Sequence, residues 1–385
     1  MATKKFLCMF LVGMLLISLL PGCSQATPPP TQEAPPVQTS APVATEAPTQ
    51  TSAPAATEAP ATEVATTVGG DTVKIGYVVH VTGIEFTAIV EEGAKDAARD
   101  YGVELVFTGP PNIDHPAQIA AFDSLVESGV DGIVFIAGDP SVWEEPVKRA
   151  IEKGVVVLTA DADAPDTGRL AFFGVDARGL GKMLGDKVRA LMEEKGVLEG
   201  GKIVLGECVI GPAPHVLREE GFREAFEGTD VKFVGPLETI CDATQNYANW
   251  QNAYTANQDA DAFVGLTAVE TASMGKLKQE TGGDFIVASF DPGGEGLRLM
   301  QEGYIDVTVG QNPYLAGYLP VQALAKHFLE GMEITPGENL YPGELILPED
   351  AGTLIPREQG GKPRTDWYSK FIQENKLEDF GLESK

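Results

Sequence analysis

Two short runs carry most of the residue types able to do chemistry. Residues 155–160 are apolar except for Thr159 and empty into an acidic loop holding Asp161, Asp163 and Asp166. About 130 residues further on, residues 285–290 are apolar apart from Ser289 and empty into Asp291-Pro292-Gly293-Gly294. An uncharged run of that length reads as a strand buried on both faces of a parallel sheet. In open α/β sheets the ligand crevice lies beyond the carboxyl ends of such strands. Two strands that each deliver an Asp to a loop suggest two α/β halves facing one cleft. A carboxylate there can accept hydrogen bonds from two neighbouring hydroxyls, and charge-assisted bonds are the stronger class. The same pair could serve as acid and base if one carboxyl had a raised pKa. The plainer readings are a turn at Asp161 and a helix N-cap at Asp291.

Other chemistries find little to work with. The chain has no phosphate-binding Gly-x-x-x-x-Gly-Lys-Ser/Thr loop, no Gly-x-Ser-x-Gly elbow, no His-Glu-x-x-His and no correctly spaced dinucleotide fingerprint. The four histidines, His80, His115, His215 and His327, are scattered. Asp161-Ala162-Asp163 resembles the start of a calcium loop but lacks the sixth-position Gly and twelfth-position Glu. Neither a metal nor a cofactor is expected. Asp139-Pro140 reads as an N-cap followed by Pro at the first helical position.

The chain's address is written in its first 70 residues. Lys4 and Lys5 precede an apolar stretch of about 15 residues, short for a membrane span and right for a secretion signal over residues 1–22. Leu20-Pro21-Gly22-Cys23 resembles a bacterial lipobox, which makes Cys23 the expected lipid attachment point and the mature N-terminus. Residues 23–70 form a tether in which a twelve-residue Pro/Thr/Ala/Glu unit occurs twice, at 39–50 and 51–62. So few large apolar groups cannot offset the entropy of ordering, and the prolines favour an extended chain. The expected location is extracytoplasmic, anchored to the cell membrane by lipid. Loss of the leader leaves 26 basic against 56 acidic residues, a surface that repels nucleic acid and anionic lipid. In an oxidising compartment Cys208 and Cys241, each near the end of an expected strand, could form a disulfide or remain two buried thiols.

The elements that must position the two aspartates repeat regularly from Thr72 onward. Helices stop at Gly102, Gly129 and Gly154 and a strand follows each at once, with βα spacings of about 27 and 25 residues. Phe86, Ile89, Val90, Ala94, Ala97 and Tyr101 form one apolar helical stripe, and Ile119, Phe122, Leu125 and Val126 another. After a strand at 170–175 the alternation restarts, with helices at 180–194, 217–226, 247–257, 294–302 and 314–329. Strands are expected at 202–208, 231–239, 262–266, 285–290 and 305–310. Two sets of βα units fit an α/β protein of two doubly wound parallel-sheet lobes, although alternation alone also suits a closed barrel.

This order of segments supports a resemblance. KIGYVVHVTGIEF, the stretch from Val103 to Pro140, VVVLTADADAPD and VASFDPGGEGLRLMQEGYIDVTVGQNPYLAGY look like a type I periplasmic sugar-binding protein of the ribose-binding-like group. The resemblance covers about Lys74 to Gly331. It implies two lobes joined by three hinge strands, crossing near Val175, near Gln311 and close to Leu340. Lobe one would hold residues 71–174 and 312–339; lobe two would hold 175–311 and 340–385, the latter including a C-terminal extension. The family's sugar-holding Asp residues match Asp161 and Asp291, and its hinge Gln matches Gln311. Its Arg on the helix opening the second lobe's site matches Arg218, with His215 as a rival one turn away. Thr267 stands where the family often has Asn or Asp. Phe86 keeps one of two family aromatics, and His80, in the first matching stretch, completes the candidate set. The implied activity is non-enzymatic: a monomer would capture a monosaccharide or polyol and deliver it to an ABC transporter permease. Reception of a signalling furanose or other polyol for a chemosensor is the alternative.

Overall fold

The computed structural model describes residues Thr72–Ser384. The expected leader, tether and Cys23 lipid site lie outside the described residues.

The first half alternates as β1 (Lys74–Val78), α1 (Glu85–Tyr101), β2 (Glu104–Thr108), α2 (His115–Glu127), β3 (Gly132–Phe135), α3 (Glu144–Glu152), β4 (Val156–Ala160) and β5 (Ala171–Gly174). The second follows as α4 (Ala177–Lys195), β6 (Lys202–Glu207), α5 (Ala213–Glu224), β7 (Lys232–Glu238), α6 (Ala243–Ala256), β8 (Ala262–Gly265), α7 (Glu270–Thr281), β9 (Ile286–Phe290), α8 (Gly293–Gln301) and β10 (Val307–Gly310). The chain ends with α9 (Pro313–Glu330), β11 (Glu333–Ile334), β12 (Gly337–Leu340), β13 (Glu344–Ile346), α10 (Ala351–Glu358), α11 (Gly361–Glu374) and β14 (Leu382–Glu383).

Two six-stranded sheets result, ordered β12-β5-β4-β3-β1-β2 and β13-β10-β9-β8-β6-β7. Every pairing within them is parallel except β10 with β13. The sheets are open, so the fold is a pair of doubly wound lobes and not a barrel. Central strands such as β3, β9 and β10 are buried along their whole length, which is why they read as uninterrupted apolar runs. Asp139 accepts from the Ser141 amide at 3.0 Å, capping a short turn as the Asp-Pro pair suggested.

The chain passes between lobes at residues 175–176, 311–312 and 341–343, between β5 and α4, β10 and α9, and β12 and β13. A fourth passage was not anticipated. The sequence puts residues 340–385 with the second lobe, yet the structure divides them. Ala351 and Leu354 of α10 join the second lobe's core, whereas α11 lies on the first lobe. There Tyr368 stacks on Tyr314 of α9 with centroids 4.3 Å apart, and β14 pairs with β11. The reason is apolar burial: Tyr368, Ile372 and Leu377 are all buried in the core cluster that includes Tyr314, Leu315 and Leu319 of α9.

Glycines set the closest helix contacts. A methyl group on Gly181 of α4 would lie 2.1 Å from the Arg218 carbonyl oxygen of α5. One on Gly317 of α9 would lie 1.9 Å from the Val90 carbonyl oxygen of α1.

Candidate functional site

Asp161 and Asp291 occupy equivalent places in the two lobes. Each directly follows a central strand, β4 or β9, with a left-handed backbone, φ 60° and 46° respectively. Each still extends the ladder: the Asp161 amide donates to Phe173 O at 3.1 Å and the Asp291 amide to Val309 O at 2.8 Å. The conformation turns the chain sharply out of the sheet, and Asp tolerates it better than most residues. Asp291 does not cap α8, whose N-cap is Pro292.

Arg218 is the cation whose charge acts on both carboxylates. It stands on α5 and is 3% exposed. Its Nη1 donates to Leu266 O at 3.1 Å and its Nη2 donates to Gln311 Oε1. The guanidinium also lies over the Phe290 ring, 4.7 Å from the centroid, while Nε has no partner among the described residues. Gln311 closes the chain: its amide donates to Asp291 Oδ1 at 2.9 Å and its Nε2 donates to Asp291 Oδ2. Asp161 accepts no side-chain hydrogen bond among the described residues.

The electrostatics follow from burying several acids around one cation. Burial pushes the Asp161 carboxyl up to about 6, Arg218 opposing and Asp291 adding to the rise. Burial also raises Asp291, against the bonds from Gln311 and the charge of Arg218. Arg218 is itself lowered by burial, with Asp161, Asp291, Glu207 and Glu270 all holding its proton. Glu207, at the end of β6, is pushed to about 7 by burial and by Glu219 and Glu270. His80 and His215 are pushed down to about 4 by burial, helped by His115 and Arg218 respectively, so both are neutral near pH 7. His215 Nδ1 sits 3.0 Å from Val209 O and must be the protonated nitrogen, leaving Nε2 as an acceptor.

The other expected residues divide. Phe86 is half-buried on α1 and, with Glu85, Asp291, Asn312, Glu358 and Tyr368, lines a cavity of about 180 Å³. That is small beside drug-sized pockets and suits a compact ligand. A larger open groove of about 660 Å³ lies between α1 and α11 and shares no residue with the acidic cluster. Thr267 points inward: its hydroxyl donates to Glu270 and accepts from the Cys208 amide at 3.2 Å. Asp163 is held by Arg169, whose Nε donates at 2.8 Å, which accounts for one acid of the false calcium loop. Among the described residues no group of three His, Cys, Asp or Glu is placed to hold a metal.

Cys208 and Cys241 form a disulfide, their Cα atoms 4.6 Å apart, because β6 and β7 are paired neighbours that bring both loops to one edge. Tyr341 escaped the sequence reading. It lies in the third crossing, is 3% exposed, and its phenol is raised by burial and by the Asp161 charge. Only its position just beyond β12 could have drawn notice. Buried Glu270, which accepts from Thr239 at 2.7 Å, gave no signal beyond its nearness to Thr267.

A family model described as a periplasmic binding protein domain matches residues 75–331. The chain belongs to that family. It is 22% identical over 285 residues to the xylose/arabinose-binding protein XylF of Sulfolobus acidocaldarius, covering 69% of this chain and 68% of the relative. It is 24% identical over 262 residues to the ribose import binding protein RbsB of Bacillus subtilis, covering 68% and 83%. A solute-binding protein of an ABC transporter from Burkholderia graminis, solved with D-arabinose, superposes with TM-score 0.68 at 22% identity, covering 74% of this chain and 98% of that one. Family membership makes the protein a receptor of the extracytoplasmic, ABC-transporter type and not an enzyme. No described helix is long and apolar enough to cross a membrane.

Proposed function

We propose that this periplasmic binding protein encloses a neutral monosaccharide or polyol between its lobes and hands it to an ABC permease. The lipid on Cys23 and the Pro/Thr/Ala/Glu tether would keep the receptor at the membrane while its body searches freely. The single observation that carries the reading is that Arg218, Gln311 and Asp291 form a buried hydrogen-bonded chain on whose arginine Asp161, from the other sheet, also acts through its charge. Each Asp can accept from two hydroxyls, Arg218 and Gln311 add donors, and His215 Nε2 adds an acceptor. The half-buried ring of Phe86, in the cavity beside Asp291, offers an apolar face to the C–H side of a sugar ring. No step requires a nucleophile, since a transport receptor must release what it binds. The sugars named for the relatives, pentoses among them, make aldopentoses the first ligands to try.

A thermal-shift screen of aldopentoses, hexoses, deoxysugars and polyols tests the reading. A true ligand raises the midpoint progressively with concentration, by about 2.7 kcal/mol of stability at a hundredfold excess over Kd. If no polyhydroxylated compound moves the midpoint, the sugar reading fails. Anchoring has its own test: Cys23→Ala should move the protein from the membrane fraction to the medium or periplasm. Retention of that variant on the membrane would count against the lipid.

A further inference from the structure

The fourth passage between lobes, at residues 359–360, carries a chain of charges whose middle members, Arg357, Glu358 and Arg364, also line the cavity beside Asp291. Glu92 of α1, on the first lobe, meets Arg364 of α11 at 2.7 Å. Arg364 approaches Glu358 at 3.8 Å, and Glu358 accepts from Arg357 Nε at 2.7 Å. Arg357 in turn bonds Glu344 of β13, at the edge of the second lobe's sheet. The three central side chains are almost wholly buried, at 7%, 8% and 4% exposure for Arg364, Glu358 and Arg357.

Both ends of the segment are anchored to different lobes. The α10 end is built into the second lobe's core through Ala351 and Leu354. The α11 end is fixed to the first lobe by Thr365 Oγ1 donating to Asp96 at 2.6 Å and by Gln322 Nε2 donating to Leu377 O at 3.0 Å. The joint itself is Gln359-Gly360-Gly361, with left-handed φ of 74° and 57° at the glycines. Within this chain the contact that spans the lobes is Arg364 with Glu358, held on one side by Glu92 and on the other by Arg357 and Glu344, and a rotation that parts the lobes has to extend the joint and strain that contact. The chain also borders the cavity shared by Phe86 and Asp291, so it lies where the lobes meet.

We infer that the Glu344–Arg357–Glu358–Arg364–Glu92 chain is an interlobe latch that biases the receptor toward its closed form. It is intact where Glu85 and Phe86 of one lobe line a single cavity with Asp291 and Gly293 of the other, so its free energy favours approach. A buried charge network resists screening and loses much of its strength when one member is removed. Affinity for a ligand that requires closure falls with the fraction of closed receptor. The inference rests on the two-lobed receptor reading above for its effect on affinity, but not for its effect on shape.

The test uses the full chain with spin labels on non-canonical residues at exposed positions Lys148 of α3 and Asn252 of α6, one on each lobe. Glu92→Gln and Glu344→Gln alter opposite, partly exposed ends of the latch and keep the side-chain shape. Each should lengthen and broaden the ligand-free interlobe distance distribution, while circular dichroism stays that of the parent. Sugar affinity should fall about 5- to 150-fold, through faster release. A merely structural role would lower the melting midpoint and leave the distances unchanged, and that result in both variants overturns the latch. If no sugar binds the parent, the proposed function fails, yet the ligand-free distances still decide the latch.

Discussion

Asp161 has little inside the protein to satisfy it, and its pKa near 6 makes that condition measurable. A carboxyl raised from 3.8 binds more protons in the folded than in the unfolded state between about pH 4 and 6. Its ionisation therefore costs stability that is fully lost above about pH 6 and regained as pH falls through that window. Asp161→Asn should accordingly melt a few degrees higher than the parent at about pH 7.5, an advantage that shrinks below pH 6 and is gone near pH 4. The same variant should bind the sugar about 10- to 100-fold more weakly, because one charge-assisted acceptor is lost. Calorimetry at both pH values reads both effects, and unchanged affinity would remove Asp161 from the site. Arg218 gives the opposite sign. Arg218→Met removes the buried cation that opposes Asp161, Asp291, Glu207 and Glu270, together with its bonds to Leu266 O and Gln311, a loss of about 3–5 kcal/mol on the scale of an uncompensated buried charge. Their carboxyls must rise further, so part of that loss should return between about pH 7.5 and pH 5.5 as they take up protons. A variant equally destabilised at both values would mean that Arg218 acts through packing over Phe290 and not through charge.

Helices α4 and α5 show how an element, and not only a residue, positions the site. Gly181 admits the α5 backbone at Arg218 itself, so a side chain there must displace the helix that carries the central cation. Gly181→Ala should cost about 1–3 kcal/mol of stability and weaken ligand binding together. A loss of stability with full affinity would show that α5 relaxes elsewhere. This scale also explains what the sequence revealed. Parallel strands buried on both faces leave apolar runs that survive inspection, so the two aspartates could be placed at strand ends from residue type alone. Helix starts were displaced where local chemistry decides them: α4 begins at Ala177, earlier than expected, because the Asp176 side chain accepts from the Gly179 amide at 2.8 Å. Similarly, α5 begins at Ala213 behind Pro212. Arg218 was legible through family resemblance and not through periodicity, since a buried arginine on a helix breaks the apolar stripe. The C-terminal segment was least legible. Strands of two to four residues and a helix containing Pro356 leave no strong period, and the lobe each packs on depends on partners far away in sequence.

At the scale of the whole molecule, the formal charge of −28 and the buried acids of the cleft make one field of the same sign. Like charges spread over a compact body repel, and salt relieves that repulsion. Raising NaCl from about 10 mM to about 150 mM shortens the screening length from about 30 Å to about 8 Å. The ligand-free midpoint should then rise by a few degrees, because the surface pairs that salt weakens each contribute little. Ligand affinity should behave differently. A neutral sugar carries no charge for the field to act on, and its hydrogen bonds form in a water-excluded cleft that salt barely reaches. Its Kd should change by less than about twofold over the same range, as measured by titration calorimetry at fixed pH. An anionic ligand, such as a uronate or a sugar phosphate, would be repelled at low salt and bind more tightly as the field is screened. A Kd that falls severalfold with salt would therefore replace the neutral polyol with an acid, and would require Arg218 to bind the ligand's charge in place of offsetting those of Asp161 and Asp291.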